Sequence, residues 1–184
     1  MNTFEKEMTK YWTNETPQTY SFLGSPEEAK NVQQTHKDQI HFLDPEGTKL
    51  ISELINSTGM LDKAFVQKPF VNYFSNIETL IVGEDEKALK KWLYNRGIPF
   101  SRWVYLDSDN LNQCVMMTWK MVIKYCSDIF FAHDVSISDS TLRWGLFYYH
   151  SDEMYFGKDI KYNRAEKEEI ELLKNVFLKN INKF

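Results

Sequence analysis

The stretch Thr141-Leu142-Arg143-Trp144-Gly145-Leu146-Phe147-Tyr148-Tyr149-His150-Ser151-Asp152-Glu153-Met154-Tyr155-Phe156-Gly157 decides the fold class. Side chains alternate between the two faces of a strand. Leu142, Trp144, Leu146 and Tyr148 therefore share one face, and Arg143, Gly145, Phe147 and Tyr149 the other. The polar run His150 to Glu153 reads as a turn, Met154-Tyr155-Phe156 as a returning strand and Gly157 as its end. The expected unit is an antiparallel hairpin. From Asn163 the apolar residues Ile170, Leu173, Val176, Phe177 and Ile181 fall at helical spacing, which predicts a C-terminal helix.

Upstream, Ile77 to Val82 reads as a strand closed by Gly83. Glu84-Asp85-Glu86 opens a helix whose stripe is Ala88, Leu89, Trp92 and Leu93 and whose stop is Gly97. Trp103 to Leu106 is a further strand, so the unit has the form of a strand–helix–strand crossover that could add a parallel pair. Asp107-Ser108-Asp109 is expected to cap a buried helix carrying Leu111, Val115, Trp119, Val122 and Cys126 on one face, widened by Met116, Met117 and Met121. Ile129 to Phe131 and Val135 to Ile137 are short strand candidates. Asp44-Pro45 opens a helix with Leu50, Ile51, Leu54 and Ile55, stopped near Gly59, and Ser25-Pro26 opens a more polar one. The stretch Phe65 to Phe74 is apolar but broken by Pro69. The expected fold is α+β, with helices packed on a mostly antiparallel sheet that ends in a C-terminal β-hairpin and a C-terminal helix. No linker or repeat divides residues 1–184, so one domain is expected, with 1–45 as a peripheral extension.

Composition narrows the function classes. With 42% apolar and 15% aromatic residues the chain has the material for a core. A net charge of −4 argues against nucleic acid as partner, because phosphate binding needs a clustered cationic face. Apolar runs are interrupted before the roughly 20 residues a membrane span requires, and Met1 to Lys10 lacks the apolar segment of a secretory leader. Cys114 and Cys126, placed about 18 Å apart on the expected helix, would be free thiols suited to the reducing cytoplasm.

No phosphate loop, dinucleotide fingerprint, zinc-protease helix or nucleophile elbow is present, and no cofactor is implied. His133, Asp134, Asp139, His150, Asp152 and Glu153 cluster at expected strand ends; they read either as turn formers or as an acid–base or metal set. His36 and His41 are five apart, a poor spacing for one helical face. Between Asp128 and Asp159 six acids oppose only Arg143 and Lys158, so this stretch alone carries the net charge of the whole chain, −4. Acids in the turns and aromatics in the strands form a surface that could steer and dock a basic protein. Its candidate contact residues are Asp134, Asp139, Phe147, Tyr149, Asp152, Glu153 and Tyr155. That surface requires the four acids to lie together and the three aromatics to be exposed; the other reading places the aromatics in the core.

The run Leu142 to His150 with Asp152-Glu153 and Tyr155-Phe156-Gly157 resembles the C-terminal hairpin of bacterial immunity proteins, across about residues 119–157. The resemblance implies a non-catalytic cytoplasmic inhibitor of a cognate toxin domain, with no metal and no catalytic residue. Two alternatives stand beside it: a small-molecule-binding or adaptor domain, and a hydrolase built on His133 or His150 with carboxylates. An exposed sheet face would permit a homo-oligomer, and nothing in the sequence demands one.

Overall fold

The computed structural model describes residues 1–13, 32–61, 69–108, 113–131 and 133–160. The expected helices opening at Ser25-Pro26 and running from Asn163 to the end lie outside these residues, as do residues 65–68 of the apolar stretch Phe65 to Phe74. The described chain is α+β. Its strands are β1 (Trp12–Thr13), β2 (Ile40–Leu43), β3 (Phe74–Ile81), β4 (Trp103–Ser108), β5 (Val115–Thr118), β6 (Val135–Ser138), β7 (Trp144–Tyr149) and β8 (Glu153–Ile160). They form one eight-stranded sheet in the order β1-β2-β5-β4-β6-β7-β8-β3, and every neighbouring pair is antiparallel. The helices are α1 (Thr3–Met8), α2 (Gln34–Lys37), α3 (Pro45–Asn56), α4 (Glu86–Tyr94), α5 (Trp119–Lys124) and α6 (Cys126–Ile129).

Helix α3 starts where expected. Asp44 accepts a hydrogen bond from the Gly47 N–H at 2.8 Å and Pro45 occupies the first turn, where its missing N–H costs nothing. Asp85 caps α4 in the same way, and Gly97 follows that helix with a φ of +71°.

Helices cover both sheet faces. On one, Leu89 and Leu93 of α4, Trp119 and Val122 of α5 and Ile129 of α6 pack against Val104, Leu106, Val115, Ile137, Trp144, Leu146 and Tyr148. On the other, α1 and α3 supply Met8, Ile51 and Ile55 against Leu43, Tyr105 and Met116, and Leu54 joins Phe70, Phe74, Phe147 and Tyr155. The segment expected as a peripheral extension contributes β1 and β2 to the sheet, and Met8 and Leu43 are fully buried.

Three expectations need correction. Residues 115–118 are a strand, not the middle of a long helix, and the helical part begins only at Trp119. A strand covered on both faces is apolar at consecutive positions, a pattern that a buried helix shares. Cys114 therefore precedes β5 and Cys126 opens α6; both are buried and free. Ile129 ends α6 instead of starting a strand. Finally, β3 and β4 are not adjacent: α4 carries the chain past β8, β7 and β6, so no parallel pair forms between these two strands.

Gly157 lies inside β8, not at its end. A Cβ there would stand 2.2 Å from Phe74 Cδ2, and one on its register partner Gly145 would stand 3.0 Å from the Phe70 ring. The two facing glycines form the slot that seats Phe70 and Phe74. Gly157→Ala is therefore expected to cost about 1–3 kcal/mol through overpacking. Gly83→Ala, with nothing within 4 Å of the new Cβ, is expected to be nearly neutral. Urea denaturation of both variants checks this contrast.

Candidate functional site

The sheet places the candidate polar residues at its two ends. At one end β6 begins and β7 stops, so Asp134 and His150 face each other. The Asp134 Oδ1 accepts from the His150 backbone N–H at 2.9 Å and from the imidazole Nδ1 at 2.7 Å. Asp134 is buried while half of the His150 side chain is exposed. A carboxylate bound to Nδ1 assigns the ring proton to that nitrogen and leaves Nε2 as the acceptor. Tyr149 lies against the imidazole with ring centroids 4.3 Å apart.

The β7–β8 turn follows. Asp152 adopts a φ of +67° there, a conformation that Asp tolerates better than most residues. Its Oδ1 accepts from the Tyr148 hydroxyl at 3.0 Å, on the face covered by α4, α5 and α6. Glu153 accepts from the Tyr155 hydroxyl on the opposite face. Burial, reinforced by the neighbouring carboxylates, pushes both phenols up, Tyr155 to about 12.

Asp139 does not belong to this group. It follows the far end of β6, some 16 Å away at strand rise. It is buried and accepts from the backbone N–H of Thr141 at 2.9 Å, with the Arg102 guanidinium 3.7 Å off. Its role is to close the β6–β7 loop, to which Asn2 adds a bond from α1's cap to Ser140. Phe147 and Tyr155 are 5% and 8% exposed and pack among Phe70, Phe74 and Leu54, so neither is an exposed anchor. Tyr149 is half-buried. Of the seven expected contact residues, Asp152, Glu153 and Tyr149 remain reachable at the turn, and Asp134 acts from beneath.

The fold adds residues that the sequence reading treated only as a helix start. The Val82 N–H donates to the Asp152 carbonyl at 2.7 Å, which lays Glu84, Asp85 and Glu86 beside the turn. All three are exposed, as are Asp128 of α6 and Asp152. Partial desolvation and then the Glu86 carboxylate push the Asp128 carboxyl up, while Lys90 lowers it, so α4 and α6 bring like charges together. Lys90 is engaged by Glu86. Three residues after Asp128 stands Phe131, 71% exposed, directly after Phe130, whose ring packs 5.6 Å from Tyr148. An acidic rim with a protruding aromatic ring is the outcome.

Other candidates are separated. His36 Nδ1 lies 3.0 Å from the Tyr125 hydroxyl. His41 is stacked on Trp12, with centroids 3.4 Å apart, and near Trp103, and burial lowers its pKa. Burial raises both thiols, which keeps them protonated and poorly nucleophilic. Among the described residues no group of three or more His, Cys, Asp and Glu is placed to hold a metal ion, and no helix is long and apolar enough to cross a membrane.

No family model matches the chain, and no curated protein or solved structure is significantly similar to it.

The raised phenol gives a pH expectation with a definite sign. The fold favours the protonated form of Tyr155, so that contribution is complete below pH 10, the ordinary tyrosine value, and is lost as pH rises toward 12. The urea midpoint should fall across that window, and Tyr155→Phe should flatten the fall. Asp134→Ala should cost about 1 kcal/mol by removing the acceptor of the His150 backbone and ring N–H groups, and His150→Ala clearly less; equilibrium unfolding reads both.

Proposed function

We propose that the chain is a non-catalytic, immunity-type protein that neutralises a basic toxin domain by docking it on the acidic end of the sheet. The observation that carries this reading is the Val82–Asp152 backbone bond, which joins the acidic approach to α4 (Glu84, Asp85, Glu86) to the β7–β8 turn, with Asp128 of α6 acting on Glu86 and exposed Phe131 three residues after it. Lys90 and Lys124 act on Glu86 and hold its carboxyl below the usual range, yet the five acids outnumber them. Such a field raises the encounter rate with a cationic partner, and a protruding aromatic ring supplies the desolvated anchor that long-range charge cannot. Buried Asp134, bonded to the half-exposed His150, stiffens the rim from below. The proposed surface differs from the one expected from sequence: it drops Asp139, Phe147 and Tyr155 and adds Glu84, Asp85, Glu86, Asp128 and Phe131. A cytoplasmic location goes with this reading, as the compartment in which an inhibitor guards its own cell.

A second reading, a hydrolase, draws on one specific feature. A buried carboxylate that fixes the tautomer of an exposed imidazole is the arrangement a general base uses. The two readings part at His150: its removal abolishes turnover in the second and leaves docking in the first.

The test is co-expression with the product of the adjacent reading frame, followed by calorimetry on the purified pair. Glu84→Lys with Asp152→Lys is expected to weaken binding at least about tenfold, roughly 1.4 kcal/mol, and to reduce its salt dependence. Phe131→Ala should speed dissociation, and His150→Ala should leave the affinity within a factor of two or so. Failure to bind at low salt, or binding indifferent to the double charge reversal, contradicts the proposal.

A further inference from the structure

A different part of the molecule carries a second inference, independent of the acidic rim. Strand β3 ends the sheet, and among the described residues it pairs with β8 alone. The opposite edge strand, β1, has two residues, whereas β3 has eight. The Val82 N–H donates inward to Asp152, and the register continues as Leu80 with Met154, Glu78 with Phe156 and Asn76 with Lys158. In an antiparallel ladder alternate residues turn both backbone groups to the same side. Leu80, Glu78 and Asn76 thus bond β8, while Ile77, Thr79 and Ile81 direct their N–H and C=O groups to the outer edge.

Soluble proteins usually blunt such an edge with Lys, Pro, a bulge or brevity. Residues 74–81 contain neither Lys nor Pro. Their single charge, Glu78, is held by Arg96 Nη1 at 2.6 Å and faced by Lys158 Nζ at 3.4 Å, so the edge carries no uncompensated charge. At its end Ile81 is 70% exposed.

We infer that this edge pairs with the same edge of a second copy of the chain, antiparallel and centred on Thr79. The occupant is singled out by self-complementarity. Residues Ile77-Glu78-Thr79-Leu80-Ile81 read alike in both directions at the three outward positions. Centred on Thr79, the two-fold axis sets Thr79 opposite Thr79 and each exposed Ile81 opposite the partner copy's Ile77. Glu78 falls opposite Leu80; centring on Glu78 instead would set two like charges face to face, which is unfavourable. The antiparallel arrangement also sends the two acidic ends in opposite directions. The interface is isologous, as a two-fold dimer requires, and joins the two sheets into one. A single strand edge buries less than the roughly 1,200–2,000 Å² of a permanent interface, so the dimer is reversible and concentration-dependent.

The experiment uses the full chain in sedimentation velocity across a concentration series, together with cysteine trapping. The two Thr79 Cα atoms would stand about 5.5 Å apart, within disulfide reach, and the native cysteines are buried and do not compete. Expected are a mass rising toward that of two chains, its loss in Ile81→Lys with an unchanged circular dichroism spectrum, and rapid oxidative dimerisation of Thr79→Cys. Ser75→Cys, whose register partner is Gly83, should cross-link at least about tenfold more slowly, since the two copies of residue 75 are roughly eight strand positions apart. Glu84→Lys should leave self-association unchanged, which separates this interface from the acidic rim. A constant monomer mass at every concentration, association indifferent to Ile81→Lys, or equal cross-linking of the two cysteine variants overturns the inference.

Discussion

Burial of the sheet on both faces is the constraint from which the rest follows. Strand β7 makes it visible: Trp144, Leu146 and Tyr148 meet the helices of one layer, while Gly145 and Phe147 meet the aromatic cluster of the other. A strand enclosed in this way has no room for charge along its length. Charged residues are driven to the strand ends, where turns and helix starts reach water. The acidic rim is in that sense a by-product of the core. It arises because β8 starts at the level where β7 and β3 stop and because the chain enters α4 there through three acids.

The same enclosure sorts the carboxylates into two kinds. Asp134 and Asp139 are buried, and each is satisfied by backbone N–H donors at the mouth of a loop. Such groups fix loop geometry, and their loss is felt as instability. Glu84, Glu86, Asp128 and Asp152 are exposed, contribute little to stability and set the local field. A surface can act on a partner only through the second kind, held in place by the first.

Much of the framework was legible in the sequence because it rests on local rules. The cap at Asp44, the acidic start of α4 and the strands at 77–82 and 103–106 are short-range signals of turn chemistry and spacing. The reading failed at 115–118 because an apolar run satisfies a buried strand and a buried helix equally. It failed at Leu142 because a φ of +53° turns that side chain to the opposite face from the one alternation assigns. Of the candidate site, the turn residues Asp152 and Glu153 were recoverable, since acids between two strands must be exposed somewhere. That Asp139 and Asp134 lie at opposite ends follows from the strand between them, which the apolar run Val135 to Ile137 marks; a charge count over the stretch does not distinguish one strand end from the other. The proximity of Glu84 and Glu86 rests on one long-range backbone bond, Val82 to Asp152, for which no local pattern exists.

Hydrogen–deuterium exchange on the complex with the co-expressed partner reads the central claim most directly, because it maps docking without altering a residue. The acidic end should gain protection at residues 82–86, 126–134 and 150–153, with the Asp139 loop at 139–142 unchanged. Protection concentrated at that loop, or none at the acidic end, would contradict the assignment of this surface as the docking site.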